Sequence, residues 1–272
     1  LHLATDGPED APPILLLHGI TSCWRTWDWL VPHLADRYRV LRLDFRGHGR
    51  SDRAAGEYHV AGYVSDAAAA VDAAGGPSIV LGHSLGGVTT AGLTQHHPDL
   101  VRAALMEDPP IPAAARTLEG NSLLDGFRLM RQSIPMMQEQ KVPEDVLAGI
   151  LANAPSATGP TFGTLVHPDG LSSMAAGMLH VDATVLDPVL SGQPLDPFYD
   201  PNAPLGRPAL LITADPTAPD AVARAEDAAR FAEVNPGATV TVMTGAGHLI
   251  HDELASRDRF LAAVTEFLAT LG

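Results

Sequence analysis

Short apolar runs and helical patterns of apolar residues alternate along most of this chain. The apolar runs predict strands at Pro12–Leu17, Arg39–Phe45, Ser78–Leu81, Val101–Met106, Pro208–Thr213 and Thr239–Met243. Helices are predicted between them at Trp24–Ala35, Val60–Ala74, Leu85–His97, Asp220–Val234 and Ser256–Leu271. Strands that alternate with helices are typical of a parallel sheet with crossover helices. The pattern therefore predicts an α/β fold with a mostly parallel central sheet flanked by helices.

The alternation is interrupted between Ile111 and Gly206. Prolines, methionines and glycines separate short helical patches such as Leu123–Gln132 and Val146–Leu151, and no strand is evident. We expect one α/β core made of residues 1–110 and 207–272, with residues 111–206 inserted as a mainly helical cap. Five of the seven methionines lie in this segment, at Met130, Met136, Met137, Met174 and Met178. Because methionine adapts to irregular gaps, this bias predicts a pliable, apolar lid.

Composition narrows the range of partners. Hydrophobic residues make up 46% of the 272 residues, which is ordinary for a globular protein, and no apolar run approaches the length of a membrane span. A formal net charge of -15 would be repelled by nucleic acid and by acidic membrane surfaces. We therefore expect a small-molecule ligand, no nucleic acid and no membrane partner, while a homodimer remains open.

Cys23 is the only cysteine, which excludes an internal disulfide framework and fits a reducing compartment. The expected location is cytoplasmic. The sequence starts at Leu1 without an initiator methionine, so a targeting segment removed before this point remains open.

The stretch Ser78–Gly87 carries the first candidate chemistry. An apolar strand runs into Gly82-His83-Ser84-Leu85-Gly86 and then directly into a helical pattern. The two glycines stand where a sharp strand-to-helix turn brings backbones too close for side chains. Such a turn would lift the Ser84 hydroxyl above the sheet, which makes Ser84 the candidate nucleophile.

A serine hydroxyl needs a base within hydrogen-bond reach and a carboxylate that orients this base. His248 ends the loop Gly245-Ala246-Gly247-His248, which follows the last predicted strand and would lie at the same sheet edge as Ser84. His251 is the nearby competitor, but it lacks the glycine-rich approach. We therefore predict His248 as the base.

Four motifs together resemble the α/β-hydrolase superfamily over nearly the whole chain. They are His18-Gly19 after an early strand, the loop Asp44–Ser51, the turn at Ser84 and the loop Gly245–His248. Each motif is weak alone, but their order and separation make an accidental match improbable. The resemblance implies the α/β-hydrolase fold, with residues 111–206 as a lid over the site.

The resemblance also implies an oxyanion hole. Its two donors would be the backbone N–H of Leu85 and a second N–H at Ile20 or its neighbour Gly19. Trp24, which is close to His18-Gly19, and His83, which precedes the nucleophile, are the predicted substrate contacts.

The orienting carboxylate departs from the common pattern. In most of the superfamily it follows the strand that corresponds to Ala209–Thr213, where the aligned position here is Thr217. Asp215 and Asp220 flank that position, while Asp108 follows the strand after the nucleophile helix, where some lidded members carry the acid. We predict Asp108, with Asp215 as the main alternative and Glu107 or Asp220 as lesser ones.

No cofactor or metal is expected. The glycine-rich loop Arg46–Ser51 lacks the lysine and the spacing of a phosphate cradle, and no histidine or carboxylate cluster has metal-ligand spacing. This loop is interpreted as structural.

The sequence thus predicts a serine hydrolase that cleaves an ester or lactone of an apolar small molecule through an acyl-enzyme. Among lidded relatives, the position of the acid resembles that of zearalenone-type lactonases. A carbon-carbon bond hydrolase or a cofactor-free peroxidase would use the same three residues, and a non-catalytic receptor of the same fold is a further alternative. Haloalkane dehalogenases and epoxide hydrolases are disfavoured because those relatives carry aspartate where this chain has Ser84.

Overall fold

The strands of the central sheet form where the apolar runs lie. The structure is a computed structural model that describes residues 1–111, 120–191 and 198–272. Its strands are β1 (His2–Asp6), β2 (Pro13–Leu17), β3 (Arg39–Asp44), β4 (Ser78–His83), β5 (Val101–Glu107), β6 (Ala209–Thr213) and β7 (Thr239–Val242). They form one sheet in the order β1-β3-β2-β4-β5-β6-β7. The predicted α/β class with a mostly parallel sheet is confirmed.

Strand β1 alone runs antiparallel, and the sequence pattern does not predict it. It pairs with β3 at the sheet edge, with His2 opposite Asp44 and Asp6 opposite Val40. Its sequence, His-Leu-Ala-Thr-Asp, is only partly buried and lacks the apolar character of the inner strands. An edge strand needs less burial than an inner one, so its apolar signal is weak.

Helices cover both faces of the sheet. Those of the core are α1 (Val31–Leu34), α2 (Val60–Ala74), α3 (Leu85–His96), α9 (Ala225–Val234) and α10 (Arg257–Thr270). Between β5 and β6 lie α4 (Leu123–Glu139), α5 (Glu144–Asn153), α6 (Phe162–Leu165), α7 (Pro168–His180) and α8 (Asp187–Leu190). None of the helices within the described ranges is long and apolar enough to cross a bilayer.

Alternate residues of each inner strand serve two separate hydrophobic cores. Leu15 and Leu17 of β2 belong to the core that contains α2 and α3, while Ile14 and Leu16 belong to the core that contains Trp27 and α10. This division follows from the two-residue period of a strand. Both faces of β2 and β4 are therefore buried, which explains their continuous apolar runs.

Two predicted helices differ from the observed elements. Trp24–Ala35 forms a short 3-10 turn at Trp24–Trp27 followed by α1, and Trp27, Leu30 and Leu34 are buried in the same core. Helix α9 begins at Ala225 rather than near Asp220. The backbone before it is held in a loop, because the N–H groups of Val222 and Ala223 donate to the Asp108 carboxylate.

The segment 111–206 supplies α4 to α8, and residues 112–119 and 192–197 of it lie outside the described residues. Helix α4 extends to Glu139, beyond the predicted Gln132, and contains Pro135, while α7 is a full helix that the sequence pattern did not predict. Phe127, Ile134 and Leu147 join the core that contains α2 and α3. The division into core and cap remains a prediction.

Gly82, near the end of β4, allows a direct test of how closely this strand packs against the start of α3. A Cβ at Gly82 would lie 2.1 Å from the backbone carbon of Gly86, and no movable side chain separates the two segments. We expect Gly82→Ala to lower the free energy of unfolding by about 3 kcal/mol or more. The measurement is urea-induced unfolding followed by circular dichroism.

Gly149→Ala is the matched control, because Gly149 is exposed in α5 and a Cβ there meets no atom within 4 Å. This substitution should stabilise the protein by about 0.5–1 kcal/mol. Equal effects of the two substitutions would contradict the close packing at Gly82.

Candidate active site

Ser84 occupies a sharp turn between β4 and α3. Its backbone has φ 51° and ψ -110°, which is an unfavourable conformation for a residue with a side chain. The turn is crowded, because a Cβ at Gly86 would lie 2.3 Å from the carbonyl oxygen of Leu17 in β2. The Ser84 N–H donates to the Glu107 carbonyl at 2.8 Å, which anchors the turn to β5. Strained backbone of this kind is concentrated at functional sites.

His248 and Asp108 form a buried pair beside this turn. His248 Nδ1 lies 2.7 Å from Asp108 Oδ2, and both side chains are almost inaccessible to solvent. The Asp108 carboxylate also accepts the backbone N–H groups of Ala214, Val222 and Ala223 at 3.2, 2.9 and 3.1 Å. These hydrogen bonds occupy both carboxylate oxygens and fix the plane of the group. Asp108 is thus a fixed acceptor that sets the orientation of the His248 ring.

Asp215 occupies a different position. Its carboxylate is exposed and accepts hydrogen bonds from the Thr217 hydroxyl, the Thr217 N–H and the Gly245 N–H. These hydrogen bonds lower the pKa of Asp215 below its usual value. Asp215 therefore holds the loop that leads to His248, but its carboxylate makes no hydrogen bond to the imidazole.

The loop after β2, which contains Gly19 and Ile20, packs against the turn at Ser84. Gly19 packs so closely that a Cβ there would lie 2.7 Å from His83 Nδ1 and 3.5 Å from Ser84 Cβ. Gly19 and Ile20 line the same pocket as Ser84 and His248. Among the described residues, neither the Ile20 N–H nor the Leu85 N–H has a hydrogen-bond acceptor. Backbone N–H groups without an acceptor beside a serine are the donors that an oxyanion hole requires.

Two buried histidines support this loop. His18 Nε2 accepts the Phe45 N–H at 3.2 Å, and His48 Nε2 accepts the Thr21 N–H at 3.4 Å. Burial lowers the pKa of His18 to about 4 and that of His48 to about 3. Both rings are therefore neutral near pH 7, which is the state in which a ring nitrogen can accept a hydrogen bond.

The glycine-rich loop after β3 has a structural role at this position. The Asp44 carboxylate accepts the backbone N–H groups of Trp24 and Arg50, and a Cβ at Gly49 would lie 2.2 Å from Asp44 Oδ1. Gly49 also has φ 52°, which favours glycine. The loop therefore ties the residues after β2 to the end of β3.

Trp24 does not line the pocket that contains Ser84. Its ring lies beneath the guanidinium group of Arg42 at 4.5 Å and beside His2. The substrate contact predicted for Trp24 is therefore not supported by its position. Trp24 instead covers the charged end of Arg42 at the β1–β3 edge.

His83 does lie in the pocket wall. Its Nε2–H donates to the His248 carbonyl at 3.0 Å, which fixes the loop that carries His248 to the turn at Ser84. Burial lowers the pKa of His83 well below its usual value, and the neighbouring His248 lowers it further. His83 is thus a neutral link between two loops.

The pocket at Ser84 has an empty volume of about 780 Å³, open solvent at its mouth included. One side is apolar and comes from the segment 111–206. Its apolar lining residues from this segment are Leu123, Phe127, Met130, Phe162, Met174 and Met178. The core contributes a more polar side that includes Thr26, Asp220, His251 and Asp252. A mostly apolar pocket with a few polar groups is typical of small-molecule sites.

Comparison with known proteins shows the family to which the chain belongs. A family model described as the alpha/beta hydrolase family matches residues 14–263. The chain belongs to the alpha/beta hydrolase family. The superfamily resemblance noted from the four sequence motifs is thereby confirmed.

One relative of this alpha/beta hydrolase matches little more than half of the chain. It is 34% identical over 160 residues to lipase LipV of Mycobacterium tuberculosis, which corresponds to 58% of this chain and 55% of LipV. The chain therefore spans about half the length of that relative.

Two solved structures share the fold over nearly the whole chain. E-2-(acetamidomethylene)succinate hydrolase superposes with a TM-score of 0.70, 23% identity and coverage of 98% of this chain and 94% of that one. Est816, described as an N-acyl homoserine lactone degrading enzyme, gives a TM-score of 0.68, 22% identity and coverage of 98% and 96%.

A second buried cluster lies beside the site, and sequence analysis missed it. The Glu107 carboxylate accepts both the backbone N–H and the Nδ1–H of His251, and His251 Nε2 lies 2.9 Å from Thr26 Oγ1. Burial alone would lower the pKa of His251, but the charges of Glu107 and Asp252 raise it above its usual value. Residues this far apart carry no shared motif, so only the fold brings them together.

His83, Glu107 and His251 also present ligand atoms within 4.8 Å of one another and could hold a metal ion. In the structure the three side chains are engaged in hydrogen bonds, since Glu107 binds His251 and His83 binds the His248 carbonyl. Sequence spacing gave no sign of this group, because its members come from β4, β5 and the loop before α10.

The neutral state of His18 and His48 makes stability depend on pH. The unfolded chain takes up protons on both rings below about pH 6.5, whereas the folded chain resists this until about pH 4 and pH 3. The stabilising contribution is complete above pH 6.5 and is lost as the pH falls. As the pH falls, each histidine should steepen the decline in the free energy of unfolding by at most about 1.4 kcal/mol per pH unit.

The measurement is urea unfolding at pH 7, 6 and 5 for the natural protein and for His48→Gln, whose amide can still accept the Thr21 N–H. The variant should show a shallower decline, by about one proton. An unchanged slope would show that His48 is not held neutral by burial.

Proposed function

We propose that this protein is a serine hydrolase that cleaves a carboxylic ester or lactone of an apolar small molecule. The observation that carries the proposal is the buried His248–Asp108 pair, 2.7 Å apart, in the wall of the pocket that contains the strained Ser84. We assign the nucleophile to Ser84 after β4, the orienting acid to Asp108 after β5 and the base to His248 in the loop after β7, because parallel strands bring these positions to one edge of the sheet.

In this mechanism His248 takes the proton of Ser84 as its oxygen attacks the substrate carbonyl. The Ile20 and Leu85 N–H groups, with Gly19 giving the loop its close approach, stabilise the oxyanion of the tetrahedral intermediate. His248 then protonates the departing alkoxide, which leaves an acyl group on Ser84. Water, activated by the same imidazole, hydrolyses the acyl-enzyme and restores the serine.

Asp108 rather than Asp215 is the proposed orienting acid. Asp108 is buried, contacts His248 Nδ1 and receives three backbone N–H groups, so its negative charge is held in place as the imidazolium forms. Asp215 is exposed and binds the Gly245 N–H instead. Its proposed role is structural.

Residues 111–206 are proposed to form a cap over this site. The apolar pocket side comes from their helices, which suits an apolar substrate of limited size. The similarity to a lipase and the shared fold with an enzyme that degrades N-acyl homoserine lactones support ester or lactone chemistry. A macrocyclic lactone of the zearalenone type remains the narrower candidate for the substrate.

An activated phosphonate tests the nucleophile. A fluorophosphonate probe should attach covalently to Ser84, because His248 activates only this hydroxyl. Mass spectrometry of peptides locates the adduct, and the label should disappear in Ser84→Ala. A folded protein that takes up no label would refute the serine mechanism.

Two aspartate variants test the acid. Asp108→Asn should lower kcat for a 4-nitrophenyl ester about a thousandfold or more, since the amide cannot stabilise the imidazolium. Asp215→Asn is the matched control and should change kcat by less than about tenfold. The opposite ranking, in variants whose circular dichroism is unchanged, would assign the acid to Asp215.

A further inference from the structure

Asp220 has an unsatisfied carboxylate oxygen at the wall of the Ser84 pocket. It lines this pocket together with Ser84 and His248, and its Oδ1 is shielded from solvent without a hydrogen-bond partner among the described residues. A buried carboxylate oxygen that lacks a donor costs free energy, so such a group calls for a partner. The torsion that turns a carboxylate is soft, and rotation about it presents either oxygen.

The neighbouring Glu253 side chain does not neutralise this carboxylate. Glu253 lies near the same face of Gly247 as Asp220, since a Cβ at Gly247 would be 2.8 Å from both Asp220 Oδ2 and Glu253 Oε1. Glu253 is itself satisfied by the Gly247 N–H at 2.9 Å. Burial raises the pKa of Glu253, and the negative charge of Asp220 raises it further. Glu253 therefore supplies no positive charge that could offset the charge of Asp220.

The described lining of the pocket carries no side chain with a permanent positive charge. Among its described lining residues there is no arginine or lysine. Arg257 lies behind the wall, but its guanidinium binds Asp252 and Asp169. A carboxylate on a ligand would meet repulsion from Asp220 with no cation among these described residues to offset it, whereas an N–H or O–H donor would supply the missing hydrogen bond.

We propose that Asp220 is a specificity-determining residue that accepts a hydrogen bond from a donor group on the substrate. The substrate class is then an otherwise apolar ester or lactone that carries a hydroxyl or amino group, and esters with a free carboxylate are rejected. This inference rests on the proposed function for the position of the scissile carbonyl. It goes beyond that function because it specifies which polar or charged groups the substrate can carry.

A series of methyl esters with the same chain length tests the proposal. The four are methyl heptanoate, methyl 6-hydroxyhexanoate, methyl 6-aminohexanoate and monomethyl adipate, and their hydrolysis is followed by release of methanol. In the natural protein, kcat/KM for monomethyl adipate should be lower than for the hydroxy and amino esters by about tenfold or more. Asp220→Asn should reduce the ratio of kcat/KM for the hydroxy and amino esters to kcat/KM for the adipate ester about tenfold, chiefly by raising kcat/KM for the adipate ester.

Asp258→Asn is the matched control, because it removes the same charge from the exposed face of α10. It should leave the relative kcat/KM values of the four esters unchanged. If Asp220→Asn also leaves them unchanged while turnover persists, the role of Asp220 is overturned and the serine hydrolase proposal stands.

Binding measurements separate the two proposals when turnover is absent. In Ser84→Ala, calorimetry should detect tighter binding of methyl 6-aminohexanoate than of monomethyl adipate, and the additional Asp220→Asn change should remove this preference. Discrimination in binding without hydrolysis by the natural protein would uphold Asp220 and refute the serine hydrolase. Equal binding of both esters to Ser84→Ala would overturn the inference about Asp220.

Discussion

The close contact of β4, β2 and the start of α3 is the constraint on which the site depends. Gly82, Gly86 and the Leu17 carbonyl leave no room for side chains, so the backbone at Ser84 is held at a positive φ. Asp108 is held in a similar way at φ 39° after the next strand. Hydrogen bonds from the Ser84 N–H to Glu107 and from the Asp108 N–H to Ile212, both 2.8 Å, fix each strained residue to the neighbouring strand. The strain is therefore supported by the sheet itself.

The local motifs made part of this arrangement predictable. Each inner strand is a continuous apolar run, and the glycines around Ser84 and before His248 mark turns that must pack closely. Asp108 could be predicted only from its register after β5, because the loop that follows β6 contains Asp215 and Asp220 as competitors. The contact with His248 at 2.7 Å distinguishes them by geometry, which no spacing along the chain encodes.

The remaining features depend on contacts between distant parts of the chain. Thr26, Glu107 and His251 form one network although 225 residues separate the first from the last. Strand β1 has too little burial to give an apolar signal, and the loop before α9 is kept open by hydrogen bonds to Asp108. Trp24 looked like a pocket residue because of its position in the sequence, yet Arg42 provides its actual partner. Pairings of this kind are set by the tertiary fold rather than by local pattern.

The two residues of the His248–Asp108 pair are 140 positions apart, and the link between His83 and the His248 carbonyl spans 165. Contacts of such sequence separation form late, because the entropy of closing long loops must be met before they contribute stability. A partly folded chain can hold the turn at Ser84 and still lack His248, the base of the proposed mechanism. Under that mechanism, reactivity of Ser84 reports the completed assembly of the sheet, and a folding intermediate with an exposed Ser84 is chemically inert.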